Sequence, residues 1–217
     1  MTQFNRHLLK GIYAITDDSL LSGNNLQNAV EEALTGGVKL LQYRSKTTDW
    51  NRKVDQASAL VELCDSYQIP LIINDDIELC LQSAAHGVHL GQKDEDVSVA
   101  RARLGGDAII GITCHNCVEK ALMAEKAGAT YVAFGRFFPS KTKPNAPAAT
   151  TEVLRTARQE ITIPLVAIGG INAQNGTRLI KAGADMLAVI DYLFSGPGVL
   201  GRAQALSKLF NEVTIIQ

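Results

Sequence analysis

The sequence predicts an α/β protein, a single-domain closed (β/α)8 barrel of the TIM type spanning residues 1–217. Apolar runs suited to buried strands alternate with segments of helical period from one end to the other, and these runs number eight. A glycine-marked junction between helix and strand also recurs along the chain. With 46% hydrophobic and 20% charged residues among 217, there is enough apolar material to close one sizeable core.

The predicted strands are Gly11–Thr16, Leu40–Arg44, Leu71–Asn74, Gly87–Leu90, Ile109–Thr113, Tyr131–Gly135, Leu165–Ile168 and Met186–Ile190. Amphipathic stretches between them predict helices over Leu26–Leu34, Trp50–Tyr67, Cys117–Lys126, Thr151–Gln159, Asn175–Ala182 and Val199–Asn211. The segments TGGVKLLQYR, AAHGVHLGQ, KAGATYVAFGR and KAGADMLAVI repeat one junction, in which Gly37, Gly87, Gly128 and Gly183 are each suited to a left-handed helix cap. An open flavodoxin-like sheet would use the same punctuation, and the strand count favours the barrel. Trp50 and Tyr67 flank a helix expected to pack on the barrel, with Trp50 in the core, while His7 and His86 read as surface residues.

Lys and Arg total 21 and Asp and Glu 22, so no global cationic field exists to recruit nucleic acid or an anionic membrane. The expected partners are small molecules, and the oligomeric state is left open, a homo-oligomer included. The beginning MTQFNRHLLKGIYAITDD has no apolar run long enough for a signal peptide or a spanning helix, which predicts a cytoplasmic protein. Cys64, Cys80, Cys114 and Cys117 fit a reducing compartment better than a disulfide scaffold. The lone CxxC around His115 is read as structural, because no second pair supplies metal-ligand spacing.

In parallel α/β folds ligands lie at the carboxyl ends of the strands. The residues there are Gln42, Arg44 and Lys46; Asn74, Asp75 and Asp76; His89, Gln92 and Asp94; Thr113 and His115; Arg136, Ser140, Thr142 and Lys143; Gly169 and Gly170; and Asp191. Arg44, Lys46 and Lys143, joined by Gln42 and Asn74, form a clamp for a multiply charged anion such as a diphosphate. Asp75 and Asp94 among these cations suit Mg²⁺, which takes one or two carboxylates plus phosphate oxygens. A single such Asp would more simply cap the following helix or pair with Lys46 or Arg44; two of them on adjacent strand ends favour the metal. The run AIGGIN and the end of the eighth strand suggest a second phosphate site, with a plain tight turn as the alternative.

Taken together, LQYRSK, NDD, HGVHLGQKDED, GITCH, FFPSKTK and AIGGIN resemble, in order and spacing, the motifs of the thiamine phosphate synthase family. The resemblance covers nearly the whole chain. It implies a TIM barrel that joins a hydroxymethylpyrimidine diphosphate to a thiazole phosphate and releases diphosphate with Mg²⁺. By motif, Gln42, Arg44, Lys46, Asn74, Thr113 and Lys143 would hold the pyrimidine diphosphate, with Tyr43 and Ser45 of the same LQYRSK run also counted as substrate-binding. Ser140, Lys141, Thr142, Gly169, Ile190 and Asp191 would meet the thiazole phosphate, and Asp75 and Asp94 the metal. The implied reaction is dissociative, so Arg44, Lys46, Thr113 and Lys143 would act by stabilising charge on the departing diphosphate, with no nucleophile or general base.

The chain departs from the family pattern at Thr113 and Asp191, where Ser is usual, at Arg136, where Pro is frequent, and at Ser140, where Thr is common. A carboxylate facing a phosphate would repel it, so the Asp191 side chain is expected to turn away and leave its backbone N–H usable. Tyr43 alternates with Gln42 and Arg44, which directs its side chain into the helix layer. The stretch Pro139–Ala149 is expected to close over bound substrates. The rival readings are a thiazole tautomerase-like isomerase, a non-catalytic thiamine-precursor-binding barrel, and a generic phosphate-binding isomerase or lyase. Asp75, Asp94 and Lys143 argue against the first, the intact clamp against the second, and the lack of a convincing acid–base pair against the third.

Overall fold

The computed structural model describes residues 9–21, 25–91, 94–139 and 147–214. Its eight strands are β1 (Gly11–Ile15), β2 (Val38–Tyr43), β3 (Leu71–Asn74), β4 (Gly87–Leu90), β5 (Ile109–His115), β6 (Tyr131–Phe134), β7 (Leu165–Ile168) and β8 (Met186–Val189). They pair in parallel in sequence order, and β8 returns to β1 to close the barrel. Helices α1 (Asn25–Thr35), α2 (Trp50–Ser66), α3 (Ile77–Ser83), α4 (Val97–Leu104), α5 (Val118–Lys126), α6 (Thr151–Glu160), α7 (Thr177–Lys181), α8 (Asp191–Phe194) and α9 (Val199–Thr214) complete the described elements. None of the described helices is long and apolar enough to cross a membrane.

Two apolar layers follow from the two-residue period of a strand. Ile12, Ala14, Leu41, Tyr43, Ile73, Val88, Ile110, Val132 and Ala167 face outward and pack with the buried stripes of the helices. Tyr13, Ile15, Leu40, Ile72, Ile109, Tyr131, Ala133, Val166, Met186 and Ala188 fill the interior. Because the interior set includes Leu40 and Ile72, the same parity aims Gln42, Arg44 and Asn74 inward one step further along β2 and β3.

Four expectations need correction, and each has a physical cause. The left-handed cap after α3 is Ala84 (φ 54°), not Gly87, which opens β4. Glycine is required at 87 because a Cβ there would lie 1.8 Å from the Ile109 carbonyl oxygen. Gly37, Gly128 and Gly183 do take positive φ. Trp50 is 40% exposed at the first position of α2, because the buried stripe of that helix begins at Ala57. His86 is largely covered: Nδ1 accepts from Leu71 N at 3.1 Å and Nε2 lies 3.1 Å from an Asp65 carboxylate oxygen. α7 is shorter than the periodicity suggests, since the Asn172 side chain accepts from Gln174 N and Asn175 N and holds that stretch as a turn.

One packing constraint sets up the interior. Gly111 on β5 is the register partner of both His89 on β4 and Tyr131 on β6. A Cβ at 111 would stand 2.0 Å from the Tyr131 ring, so glycine makes the space in which His89 and Tyr131 stack, with centroids 5.6 Å apart and planes 21° apart. Gly111→Ala is therefore expected to destabilise the fold by about 1–3 kcal/mol through overpacking. Chemical denaturation checks this, and an unchanged midpoint would show that the ring can move aside.

Candidate active site

A cavity of about 320 Å³ opens at the carboxyl ends of the strands. Its described lining includes Gln42 from β2 and Arg44 directly after it, Asn74 from β3, His89 from β4, Thr113 and His115 from β5, Gly135 and Arg136 after β6, Gly169–Asn172 after β7, and Ile190–Tyr192 after β8. The sequence-predicted residues Gln42, Arg44, Asn74, Thr113, Gly169, Ile190 and Asp191 are thus brought to one cavity. Lys46 is exposed beyond them on the β2 loop. Tyr43 faces the other way, as its parity predicts: its side chain is buried and its hydroxyl donates to Gln56 Oε1 on α2 at 2.8 Å. Only its backbone can meet a ligand in the cavity. Ser140, Lys141, Thr142 and Lys143 lie outside the described residues, as does Gln92.

The β2 arm is fixed by two acids that follow β1, and these went unremarked among the strand ends. Arg44 Nη1 donates to Asp17 Oδ2 at 2.6 Å, in a pair with side-chain exposures of only 14% and 9%. Arg44 N donates to Thr16 Oγ1 at 2.9 Å. The Asp18 carboxylate accepts from Ser45 Oγ and from Lys46 N, which ties the next residues of the loop to β1. Burial raises the Asp17 pKa, but the Ser19 hydroxyl and N–H and the charges of Arg44 and Lys46 outweigh it and hold the carboxyl below its usual value. The same strand-end rule used elsewhere locates this pair at ITDD.

The acids after β3 and β4 divide their work. Asp76 caps α3, accepting from Leu79 N at 2.9 Å, and Asp96 caps α4, accepting from Ser98 N at 2.8 Å. Asp75 and Asp94 are therefore not the helix caps. Asp75 is exposed, takes a left-handed backbone (φ 63°), accepts from Asn74 Nδ2 at 2.6 Å, and its N–H donates to the His89 carbonyl. Asp94 is also exposed and accepts from Gly91 N at 2.6 Å, two residues beyond His89. Neighbouring strand ends thus present two carboxylates, and among the described residues no group of three or more potential ligands is assembled.

Below the mouth, a chain of hydrogen bonds crosses the barrel. Gln42 Nε2 donates to the Tyr13 hydroxyl, and Tyr13 and Tyr131 hydroxyls lie 2.8 Å apart. Tyr131 and His89 Nδ1 are 2.8 Å apart, as are His89 Nε2 and Thr113 Oγ1. Burial pushes both phenols well above their ordinary pKa, so both remain protonated. Neither tyrosine was selected from the sequence, because an aromatic in an apolar strand reads as core.

The Gly169–Gly170 pair serves packing as well as space. Both have positive φ, and a Cβ would meet Arg136 at 2.4 Å from Gly169 and the Pro139 carbonyl oxygen at 2.3 Å from Gly170. The loop after β6 lies directly over the loop after β7, with Phe137 N donating to the Ile168 carbonyl oxygen and Arg178 stacked 4.2 Å from the Phe138 ring centre. The CxxC carries no disulfide: burial pushes the Cys114 thiol up to about 12, while Cys117 Sγ donates to Glu119 Oε2 at 3.1 Å.

Comparison with known proteins reproduces this architecture. A family model described as thiamine monophosphate synthase matches residues 12–193. The thiamine-phosphate synthase of Nitrosococcus oceani is 48% identical over 202 residues, covering 93% of this chain and 93% of that protein. A solved thiamine phosphate pyrophosphorylase from Pyrococcus furiosus superposes with a TM-score of 0.86 at 34% identity, covering 96% of this chain and 98% of that one. The (S)-3-O-geranylgeranylglyceryl phosphate synthase of Thermoplasma acidophilum, at 15% identity and a TM-score of 0.68 over 94% of both chains, shares the fold.

The depressed Asp17 carboxyl gives a signed pH dependence. Its stabilising contribution is complete above the unfolded value of about 4 and is lost as pH falls through the lower folded value. Asp17→Asn is expected to cost about 1–3 kcal/mol at pH 7, the range for a hydrogen-bonded buried charge. Denaturation of the two proteins at pH 7 and again near pH 3 checks it; a gap of constant size would exclude this account.

Proposed function

This chain belongs to the thiamine monophosphate synthase family, and we propose that it is a transferase that condenses 4-amino-5-hydroxymethyl-2-methylpyrimidine diphosphate with thiazole phosphate. The products are thiamine phosphate and diphosphate. One observation carries the reading: Gln42, Arg44, Asn74 and Thr113 open into one cavity, and Asn74 donates to Asp75, a carboxylate that does not cap α3.

Arg44, Lys46 and Lys143 hold the diphosphate in this reading, with Gln42, Asn74 and Thr113 binding the rest of the pyrimidine substrate. Charge grows on the departing diphosphate as its bond to the pyrimidine methylene breaks. An Arg44 guanidinium already oriented by Asp17 meets that charge without reorganising, which favours the transition state over the ground state. The thiazole nitrogen attacks with a lone pair and no proton, so no general base is assigned. The thiazole phosphate lies against the loops after β7 and β8, at Gly169, Ile190 and the backbone of Asp191, with Ser140, Lys141 and Thr142 from the loop after β6.

Asp75 and Asp94 would hold Mg²⁺: both are exposed carboxylates that follow consecutive strands, β3 and β4, and Mg²⁺ commonly takes one or two carboxylates and completes its shell with phosphate oxygens and water. When bound, the metal would neutralise charge on the leaving diphosphate. The small, polar substrates and the cysteines held as thiols accord with a cytoplasmic enzyme.

Incubation with both substrates and Mg²⁺ is expected to yield thiamine phosphate and diphosphate in equal amounts, and EDTA to abolish both. Asp75→Ala and Asp94→Ala are expected to reduce turnover by at least about a hundredfold at low Mg²⁺, consistent with loss of a metal-supporting carboxylate, with partial recovery at high Mg²⁺. Asp76→Ala and Asp96→Ala should instead cost about 1 kcal/mol of stability each as lost helix caps. Thiazole phosphate binding without product would move the reading to an isomerase or a sensor. Full activity in both metal-site variants would remove the metal assignment alone.

A further inference from the structure

We infer that Tyr13 and Tyr131 are positioning residues that impose one direction on the protons of the barrel interior, fixing His89 as the Nε2–H tautomer and thereby the polarity of Gln42 and Thr113 at the cavity. The inference deepens the functional reading above and rests on it only for its kinetic arm.

The argument is a count of protons. Gln42, Tyr13, Tyr131, His89 and Thr113 form one continuous chain, and the two tyrosines at its centre are 1% and 0% exposed. Each neutral phenol has one proton to give. Gln42 Nε2 donates to the Tyr13 oxygen, so the Tyr13 proton runs to Tyr131, whose own proton runs to His89 Nδ1. His89 then carries its proton on Nε2 and donates to Thr113 Oγ1, which turns the Thr113 proton away from the ring. At the other end, the bond from Nε2 to Tyr13 fixes which way round the Gln42 amide sits, so its carbonyl oxygen takes the other arm at a residue that lines the cavity.

The opposite tautomer breaks the count. A proton on Nδ1 would donate to Tyr131, and Tyr131 would donate to Tyr13, which already accepts from Gln42. The Tyr13 proton would then be buried beside two donors with no acceptor, at the cost of an unsatisfied polar group. Reversing Gln42 would restore the count only by presenting an amide N–H where the first arrangement presents a carbonyl oxygen. One end of the barrel thus dictates what the other end offers, across elements 118 residues apart at the tyrosine pair. Gly111 makes the arrangement possible, since any side chain there would occupy the space of the Tyr131 ring.

The test reads the imidazole directly. Long-range ¹H–¹⁵N correlation spectra of histidine-labelled protein without substrates, assigned with a His89→Gln variant, are expected to show a neutral His89 with its proton on Nε2. Tyr131→Phe keeps the ring and removes the hydroxyl; it is expected to populate both tautomers and to lower kcat/KM for the pyrimidine diphosphate about tenfold, the effect of one hydrogen bond. KM for the thiazole phosphate should not change. If that variant fails to fold, Tyr13→Phe interrupts the same chain one link earlier and is expected to give the same spectral change. A wild-type His89 with its proton on Nδ1, or a folded variant with the wild-type spectrum, would overturn the proposal. Absence of thiamine phosphate formation by the wild type would sink the functional reading alone, because the spectra are recorded without turnover.

Discussion

A side chain on a β-strand points to one of two faces, and in a sheet closed on itself one of those faces is the barrel interior. Everything at the cavity depends on that parity. Leu40 and Ile72 face inward to fill the closed interior, so Gln42, Arg44 and Asn74 emerge inward where the barrel opens. The same rule sends Tyr43 outward to Gln56. The aliphatic floor and the polar mouth are consecutive turns of one pattern.

Parity aims a side chain but does not hold it, and holding is the task of the acidic residues between strands and helices. The acids after β1, β3 and β4 do this work in two ways. After β1, Asp17 pins the Arg44 guanidinium and Asp18 pins the backbone beyond it. After β3 and β4, one acid of each group closes a helix, Asp76 or Asp96, and another stays exposed. The acid that caps each helix, Asp76 or Asp96, is thereby distinct from the exposed one, Asp75 or Asp94, that lies nearer the strand end.

The strands and the longer helices were legible because a buried parallel strand is an uninterrupted apolar run and a helix of three turns shows its period. α3 and α4, with seven and eight residues, show too little of it. The cavity residues of β2, β3 and β5 were legible for a related reason, since polar residues directly after apolar runs are conspicuous. Asp17 and Asp18 follow the same rule at the first strand, and the partner of Asp17, Arg44, lies 27 residues away, so their role shows only in the fold. Gly87 misled because a glycine between helix and strand has two possible employments. Local sequence suggests the left-handed turn, while the need at this position comes from the backbone of Ile109, 22 residues away. The Tyr13–Tyr131–His89 chain was out of reach for the same reason: His89 is legible as a strand-end residue, but the bonds span 118 and 42 residues, and the two tyrosines read as core.

That chain also lies where hydrophobic packing alone would not put it. Hydrocarbon of the same shape would fill the middle of the barrel without the desolvation of two phenols and an imidazole, and a fully satisfied polar chain is at best a modest net gain in stability. A satisfied chain has a property that hydrocarbon lacks, since its donors and acceptors must alternate throughout. It occupies the level between the packed floor, from Leu40 to Met186, and the open cavity. Rigid packing below therefore becomes a fixed pattern of donors and acceptors above, so the groups meeting a ligand need no reorganisation when it arrives.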